Sequence, residues 1–291
     1  MPELPEWFRQ PLPDPVMFKR MRSLLRGHGL HTVCEGARCP NTGRCWNKGT
    51  ATLMILGDHC TRACRFCAVK SGLPLAIDPL EPKRVAEAVF ELGLNYVVIT
   101  SVTRDDLPDE GAGQFAAVVR AIREISSGIK IELLVPDFTG RPDCLETVMA
   151  AQPDVFGHNL ETVRRLAPLL RPQADHDRSL QFLRMARLKA GHVRIKSGLM
   201  VGLGESDHEV LETLRELRTA GCEWVTIGQY LSPSADGRQL PVARFVVPEV
   251  FDQYSREGLA MGIKRVVSGP LVRSSFMAEE VYGTAQEAVG R

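Results

Sequence analysis

No run of this chain approaches the roughly 18–20 consecutive apolar residues of a membrane-spanning helix. An excess of one charge is missing too. Lys+Arg 36 against Asp+Glu 35 leaves a formal +1, no broad field for gripping nucleic acid or an anionic membrane. Low-complexity tracts are absent. The opening "MPELPEWFRQPLPDP" has neither the apolar core of an export signal nor the Arg- and Ser-rich, acid-poor character of a transit peptide. These absences lead to the expectation of a globular, cytoplasmic protein with no nucleic-acid or membrane partner. Its 291 residues suit one large domain or two small ones.

Another absence is more informative. Six of the eight cysteines fall between Cys34 and Cys67, in two groups of three, and neither group has a fourth member. "GDHCTRACRFCAVK" carries Cys60, Cys64 and Cys67; "CEGARCPNTGRC" carries Cys34, Cys39 and Cys45. A disulfide-stapled secreted chain would be much shorter, so the cluster points to metal. Thiolates select zinc, copper(I) or iron–sulfur clusters. Structural zinc wants four ligands, usually as two pairs. His59 is the nearest candidate for completing the second triplet, but adjacent residues rarely both reach one metal. A cubane [4Fe–4S] cluster on three thiolates fits better, because its fourth iron stays open to a small molecule. Cys144 and Cys222 stand alone and read as small buried hydrophobes.

Five prolines in the first fifteen residues predict an extended arm. "VMFKRMRSLLRGHG" then places Phe18, Met21, Leu24 and Leu25 on one helical face, ended by Gly27 and Gly29. Residues 30–60 read as glycine- and cysteine-rich loop. From residue 53, β-branched apolar runs alternate with helical patterns in about six β–α units, beginning with "LMILG" and ending with "EWVTIGQYL". Near-continuous apolar strands imply a parallel sheet covered by helices. The fold class expected is α/β, a partial (β/α)6 barrel with N- and C-terminal extensions that hold a second cluster; a doubly wound open sheet is the alternative. The divisions expected are 1–50, 51–265 and 266–291. Barrel chemistry sits at the C-terminal ends of the strands, where "GDHCTRACRFC" falls.

Cys60-x₃-Cys64-x₂-Cys67 after the first barrel strand resembles the radical S-adenosylmethionine (SAM) enzymes, and Phe66 matches an aromatic often packed near adenine in that family. The resemblance implies an open iron that chelates SAM and a 5′-deoxyadenosyl radical that abstracts hydrogen from unactivated carbon. Cys34-x₄-Cys39-x₅-Cys45, with "GPLVRSSFMAEE", narrows it to the lipoyl synthases. Further matches run through "YVVITSVTRDDLPD", "HNLETV", "KSGLMVGLGE" and "TIGQYL". In that family the first triplet holds an auxiliary [4Fe–4S] cluster whose fourth ligand is a serine of an Arg-Ser-Ser-Tyr motif. Here the motif is Arg273, Ser274, Ser275 and Phe276, with phenylalanine for tyrosine; Ser275 is taken as the ligand, although the sequence does not separate adjacent hydroxyls.

The resemblance implies sulfur insertion at C6 and C8 of an octanoyl chain on a carrier-protein lysine, consuming two SAM molecules and the auxiliary cluster's sulfides. The implied partners are octanoylated carriers (glycine cleavage H protein or the lipoyl domain of a 2-oxoacid dehydrogenase E2), a ferredoxin or flavodoxin donor, and an iron–sulfur carrier for cluster rebuilding. Asn159, Glu161, Met200 and Gly202 are the SAM contacts it suggests beside Phe66. "TRDDLPDEG" either orders on substrate binding or caps the next helix. Lys19, Arg20, Arg22 and Arg26 form either a solvated face or a docking face for an acidic carrier. Two other functions compete. A radical SAM methylthiotransferase also carries two clusters, but that family spaces its first cysteines farther apart and usually adds an RNA-binding domain. A zinc-stabilised binding module would need even ligand sets.

Overall fold

The computed structural model describes residues 4–10, 12–48, 50–234 and 237–289. Its strands are β1 (His31–Thr32), β2 (Thr52–Ile55), β3 (His59–Cys60), β4 (Lys70–Ser71), β5 (Tyr96–Ser101), β6 (Lys130–Leu134), β7 (Val155–Gly157), β8 (Arg194–Val201), β9 (Trp224–Gln229) and β10 (Arg265–Gly269). Eight of them form one sheet in the order β1-β2-β5-β6-β7-β8-β9-β10, parallel except for the β1–β2 pair. From β2 onward the strand order follows the chain order without reversal. That is a partial barrel, and it excludes the doubly wound alternative.

The helices are α1 (Pro15–Gly27), α2 (Val33–Gly36), α3 (Thr42–Asn47), α4 (Glu81–Glu91), α5 (Ala112–Ile125), α6 (Pro142–Ala150), α7 (Ala167–Leu170), α8 (His176–Lys189), α9 (Asp207–Thr219), α10 (Pro248–Ala260) and α11 (Ala278–Val289). Their starts are chemically marked. Asp14 accepts from the Val16 and Met17 N–H groups ahead of α1, and Ser206 with Glu209 makes a reciprocal capping box on α9. Between strands and outer helices lies the core. Val97 and Ile99 of β5, Ile131 and Leu133 of β6, Ile195 of β8 and Val225 and Ile227 of β9 are all at most 1% exposed. Each such side chain contributes about 1.5–3 kcal/mol by leaving water.

The alternate residues of the same strands face the barrel interior, as the two-residue period of a strand requires. Tyr96, Val98 and Thr100 of β5 and Thr226 and Gly228 of β9 line one internal cavity. At one end this interior holds a buried ion pair, Lys196 Nζ to Glu132 Oε1 at 2.7 Å, with Tyr96 Oη donating to Glu132 at 2.5 Å. The Tyr282 ring of α11 packs against Tyr96 and Trp224, so the C-terminal helix is tied to the barrel.

Two features differ from the sequence reading. The parallel series does not end at six strands, because β10 ("RVVSG") pairs with β9 from Arg265↔Trp224 to Gly269↔Gly228. Only two consecutive apolar residues followed by Ser-Gly make this strand a weak sequence signal. The stretch 30–60 is also more ordered than loop. It contains α2 and α3, and α3 buries Trp46 completely, its ring centre 4.6 Å from that of Phe18 with the planes tilted by 38°. Cys144 and Cys222 are buried, as expected of small hydrophobes.

His158, just past β7, links the core to the cavity. Its ring is 2% exposed, with Nδ1 3.0 Å from the Val135 carbonyl and Nε2 3.0 Å from Ser179 Oγ. Burial, helped by the nearby Arg171 guanidinium, pushes its pKa from 6.5 down to about 4. The folded state thus holds the ring neutral, while the unfolded chain takes up a proton first. This contribution is complete above about pH 6.5 and falls as the pH drops from there toward 4, by about 3 kcal/mol in all. Urea midpoints of the metal-free chain should therefore fall between pH 7 and pH 5, and His158→Asn should flatten that slope. An unchanged slope in the variant would assign the acid loss to other groups.

Candidate active site

One cavity of about 1070 Å³ opens among the C-terminal ends of the barrel strands. It lies at the upper end of small-molecule sites, with room for more than one small group. Both cysteine triplets line it, as do Ser274, Ser275, Phe66, Asn159, Glu161 and Met200. Residues separated by up to some two hundred and forty positions in sequence meet here because the strands carrying or preceding them are neighbours in the barrel.

The Cys60–Cys67 loop leaves β2 and is fixed from several sides. Cys60 Sγ accepts from the Arg62 and Thr103 N–H groups at 3.4 and 3.3 Å. Arg62, 5% exposed, forks onto Asp105 (Nη2–Oδ1 2.7 Å) and reaches Asp137 Oδ1 at 2.7 Å. Asp137 is fully buried and also accepts from Arg178 Nε at 2.8 Å. Asp105 of the β5–α5 connection and Asp137 of the β6–α6 connection thus hold the loop's middle through Arg62, with Arg178 of α8 behind Asp137. This settles part of the "TRDDLPDEG" question. Asp105 grips Arg62, Asp106 pairs with Arg104 at 2.9 Å, and Asp109 accepts from Gly111 and Gly113 at the start of α5.

The Cys34–Cys45 segment lies across the cavity, carried by α2 and α3. Asn41 Nδ2 donates to the Leu271 carbonyl at 2.6 Å, which ties it to the Arg-Ser-Ser segment. Burial pushes the Cys34 and Cys67 thiols up to about 12 and those of Cys45 and Cys64 up to about 11; the Cys39 thiol is also raised. Such thiols are neutral near pH 7 unless a cation draws off the proton, which is the behaviour of buried metal ligands.

The two adjacent serines point to different neighbours. Ser275 Oγ accepts from Thr52 Oγ1 at 2.6 Å, and the Thr52 backbone N–H favours the Cys34 thiolate, so Ser275 sits on the side of the first triplet. Ser274 Oγ accepts from Asn159 Nδ2 at 2.6 Å, on the other side. Phe276 keeps an aromatic face in the motif, with the Arg44 guanidinium 5.2 Å from its ring centre.

Asn159 and Glu161 lie just beyond β7 and meet each other, Nδ2 to Oε1 at 3.1 Å. Glu161 adopts φ +67, so its backbone leaves strand geometry. Burial raises its carboxyl, opposed by the Arg171 guanidinium and the Asn159 amide. Arg171 itself donates to the Asn159 and Leu160 carbonyls at 3.0 Å. Gly202 is placed elsewhere: it does not line the cavity. Its N–H and that of Leu203 donate to Glu205 at 2.6 and 2.8 Å, and a Cβ at 202 would stand 2.0 Å from Gln229 Nε2. A tight strand-to-helix turn accounts for this glycine.

Among the described residues, no three His, Cys, Asp or Glu side chains converge as one metal ion would require. Zinc draws its thiolates to about 2.3 Å of a single point. Thiolates in threes are soft donors of the kind an iron–sulfur cluster takes. The donor sets fit clusters: three thiols in each, with Ser275 beside the first.

The family model of the Radical SAM superfamily matches residues 54–217. Over 282 residues, 96% of each chain, the sequence is 55% identical to lipoyl synthase of Pyrobaculum calidifontis. The chain belongs to the lipoyl synthase family. Lipoyl synthase of Thermus thermophilus is 50% identical over 96% of this chain and 86% of its own. Among solved structures, SuiB of Streptococcus suis bound to S-adenosylmethionine superimposes with a TM-score of 0.56 at 12% identity, covering 78% of this chain and 53% of that one. Methylornithine synthase (PylB) gives 0.51 at 17% identity, covering 86% and 82%. These two share the fold. As a member of the lipoyl synthase family the chain is an enzyme of lipoate biosynthesis that uses radical SAM chemistry, with the superfamily's [4Fe–4S] cluster and SAM. No helix among the described residues is long and apolar enough to cross a membrane.

The sequence missed the groups that give this family site its shape. Gly228 of β9 is one: a Cβ there would stand 1.9 Å from the Val272 carbonyl oxygen. Gly228→Ala should therefore unseat the 272–276 segment. Purified variant is expected to lose most of the iron that depends on Cys34, Cys39 and Cys45 while keeping the iron that depends on Cys60, Cys64 and Cys67, read by iron counting with and without each set of thiols. Full iron in both would show that the segment tolerates the displacement.

Proposed function

We propose that this enzyme inserts sulfur at C6 and C8 of an octanoyl chain amide-linked to a lysine of a carrier protein. In this reading Cys60, Cys64 and Cys67 hold the SAM-binding [4Fe–4S] cluster. Cys34, Cys39, Cys45 and Ser275 hold a second [4Fe–4S] cluster, which is consumed as the sulfur substrate. Held by Cys60, Cys64 and Cys67 with SAM, the SAM-binding cluster would supply the one-electron reduction of SAM by which hydrogen is taken from unactivated carbon. Supporting the assignment is one observation above all: both triplets and the serine pair line a single cavity. An acyl chain lying between the two sides would have hydrogen removed on one and sulfur delivered from the other.

The chain's own residues have separable tasks. Arg62 with Asp105 and Asp137 fixes the loop that presents Cys60, Cys64 and Cys67. Asn159, Glu161 and Met200, on that side of the cavity with Phe66, are the groups to hold SAM. Val33, Ala37, Val242 and Phe245 add apolar surface to the lining, suited to octanoyl carbons. Ser275 offers a hard oxygen, a poorer partner than thiolate for cluster iron, and so a ligand that can leave when its sulfide is attacked.

The carriers in view are the glycine cleavage H protein and E2 lipoyl domains, with ferredoxin or flavodoxin as electron donor and an iron–sulfur carrier to rebuild the spent cluster. The test is an anaerobic assay with reconstituted protein, SAM, reductant and an octanoyl-lysine peptide, followed by mass spectrometry. Peptide gaining one sulfur and then two, with 5′-deoxyadenosine rising in step, supports the reading. Deoxyadenosine without sulfurated peptide would remove the substrate assignment.

A further inference from the structure

The segment 271–276 is gripped residue by residue. Asn41 holds the Leu271 carbonyl, Thr52 the Ser275 hydroxyl and Arg44 the Phe276 ring. All three grips come from the first-triplet side of the cavity or the strand that follows it. Ser274 is held from the opposite side, by Asn159 Nδ2 at 2.6 Å, and the same amide reaches Glu161 Oε1 at 3.1 Å. Two adjacent serine hydroxyls therefore bridge the two halves of the cavity.

The barrel wall is shaped to admit this bridge. A Cβ at Gly198 of β8 would stand 2.9 Å from Ser274 Oγ, 2.9 Å from Asn159 Oδ1 and 2.8 Å from Thr226 Oγ1. Any side chain at 198 would push Ser274 and Asn159 from their places. Glycine here is a requirement of close approach, since β8 is ordinary strand at this point.

We infer that Ser274 is a positioning residue: its hydrogen bond to Asn159 seats Ser275 at the first cysteine triplet and orients the Asn159 amide toward the SAM side. This rests on the proposed assignment of Ser275 to the auxiliary cluster and of Asn159 to SAM. The 274 hydroxyl is assigned no contact with substrate or cluster. It acts through its two neighbours. Removing it leaves the segment held from the first-triplet side alone and, among the described residues, leaves Glu161 to fix the Asn159 amide plane.

Two readouts other than turnover test this. The first uses a full-length chain with Cys60, Cys64 and Cys67 all changed to Ala, which carries only the auxiliary cluster. Iron Mössbauer and electron paramagnetic resonance spectra then report the oxygen-ligated iron and any three-iron form. Ser274→Ala in this background is expected to raise the three-iron fraction severalfold, and Asn159→Leu, approached from the other partner, should do the same. The second is SAM affinity of the intact two-cluster enzyme. Ser274→Ala should weaken it by up to about tenfold, the worth of one orienting hydrogen bond, while Ser275→Ala leaves it unchanged. An unchanged auxiliary spectrum or an unchanged SAM affinity in Ser274→Ala overturns the inference. If Ser275→Ala itself leaves the auxiliary spectrum intact, the ligand assignment beneath it is what fails.

Discussion

Ser275→Ala should still cleave SAM to 5′-deoxyadenosine but lose sulfur insertion, by about a hundredfold, the upper end of what disturbing a metal site's supporting groups costs. The expectation follows from separation of tasks. Ser275 lies with Thr52 and Cys34 on the first-triplet side, whereas the Cys60–Cys67 loop is held by Arg62, Asp105 and Asp137. The variant should remain folded. Its direct structural cost is a Thr52 hydroxyl without an acceptor, about 1–3 kcal/mol against a typical stability of about 5–15 kcal/mol. Mass spectrometry of the peptide alongside chromatography of deoxyadenosine separates the two activities. Double sulfuration at the normal rate in Ser275→Ala would mean that this hydroxyl is not the cluster's ligand.

The second large effect is expected at Arg62. Replacing it by methionine keeps the stem but leaves Asp137, fully buried, with Arg178 as its nearest guanidinium, and frees Asp105 from its fork. Removing one partner of a buried ion pair costs about 3–5 kcal/mol. Against burial, which raises it, the neighbouring His158 ring and then the Arg62 and Arg178 guanidinium groups hold the Asp137 carboxyl down to about 2. Its contribution is therefore complete above the ordinary carboxylate value of 3.8 and lost only as pH falls toward 2, so the deficit of Arg62→Met should be full at neutral pH. Arg62→Lys should recover only part, since an ammonium cannot make the two-pronged contact with Asp105. Urea unfolding midpoints at pH 7 check this, and deoxyadenosine formation should fall with them as the cysteine loop loosens. An Arg62→Met midpoint equal to that of the parent chain would show that the network adds nothing to stability.

What the sequence made legible was local or periodic. Cys60-x₃-Cys64-x₂-Cys67 announces itself because its cysteines lie within eight positions, and the apolar runs of β2 and of β5 to β9 announce a parallel sheet because they are buried on both faces. The pairing of Ser275 with the first triplet was reachable only by resemblance, since over two hundred residues intervene. Which of two neighbouring serines faces which way is a matter of backbone rotation, fixed by Asn159 and Thr52 after the barrel has formed. Arg62 gave no signal, for its partners at 105 and 137 come from separate β–α connections. The glycines around Gly202 fit either backbone approach to a ligand or a plain strand-to-helix turn, and Glu205 takes the N–H groups of Gly202 and Leu203. Short helices around Cys34 and Cys45 escaped notice because four to six residues carry too little periodicity to read.

The central claim is that the enzyme's own auxiliary cluster is the source of both product sulfurs. It is tested most directly by loading the chain with clusters built from a heavy sulfur isotope and running one turnover in the absence of free labelled sulfide. The account predicts octanoyl-lysine peptide with both inserted sulfurs heavy, and none inserted by Cys34→Ala chain that retains the Cys60, Cys64 and Cys67 cluster. Light sulfur in the product, or heavy sulfur delivered equally by Cys34→Ala, would contradict it.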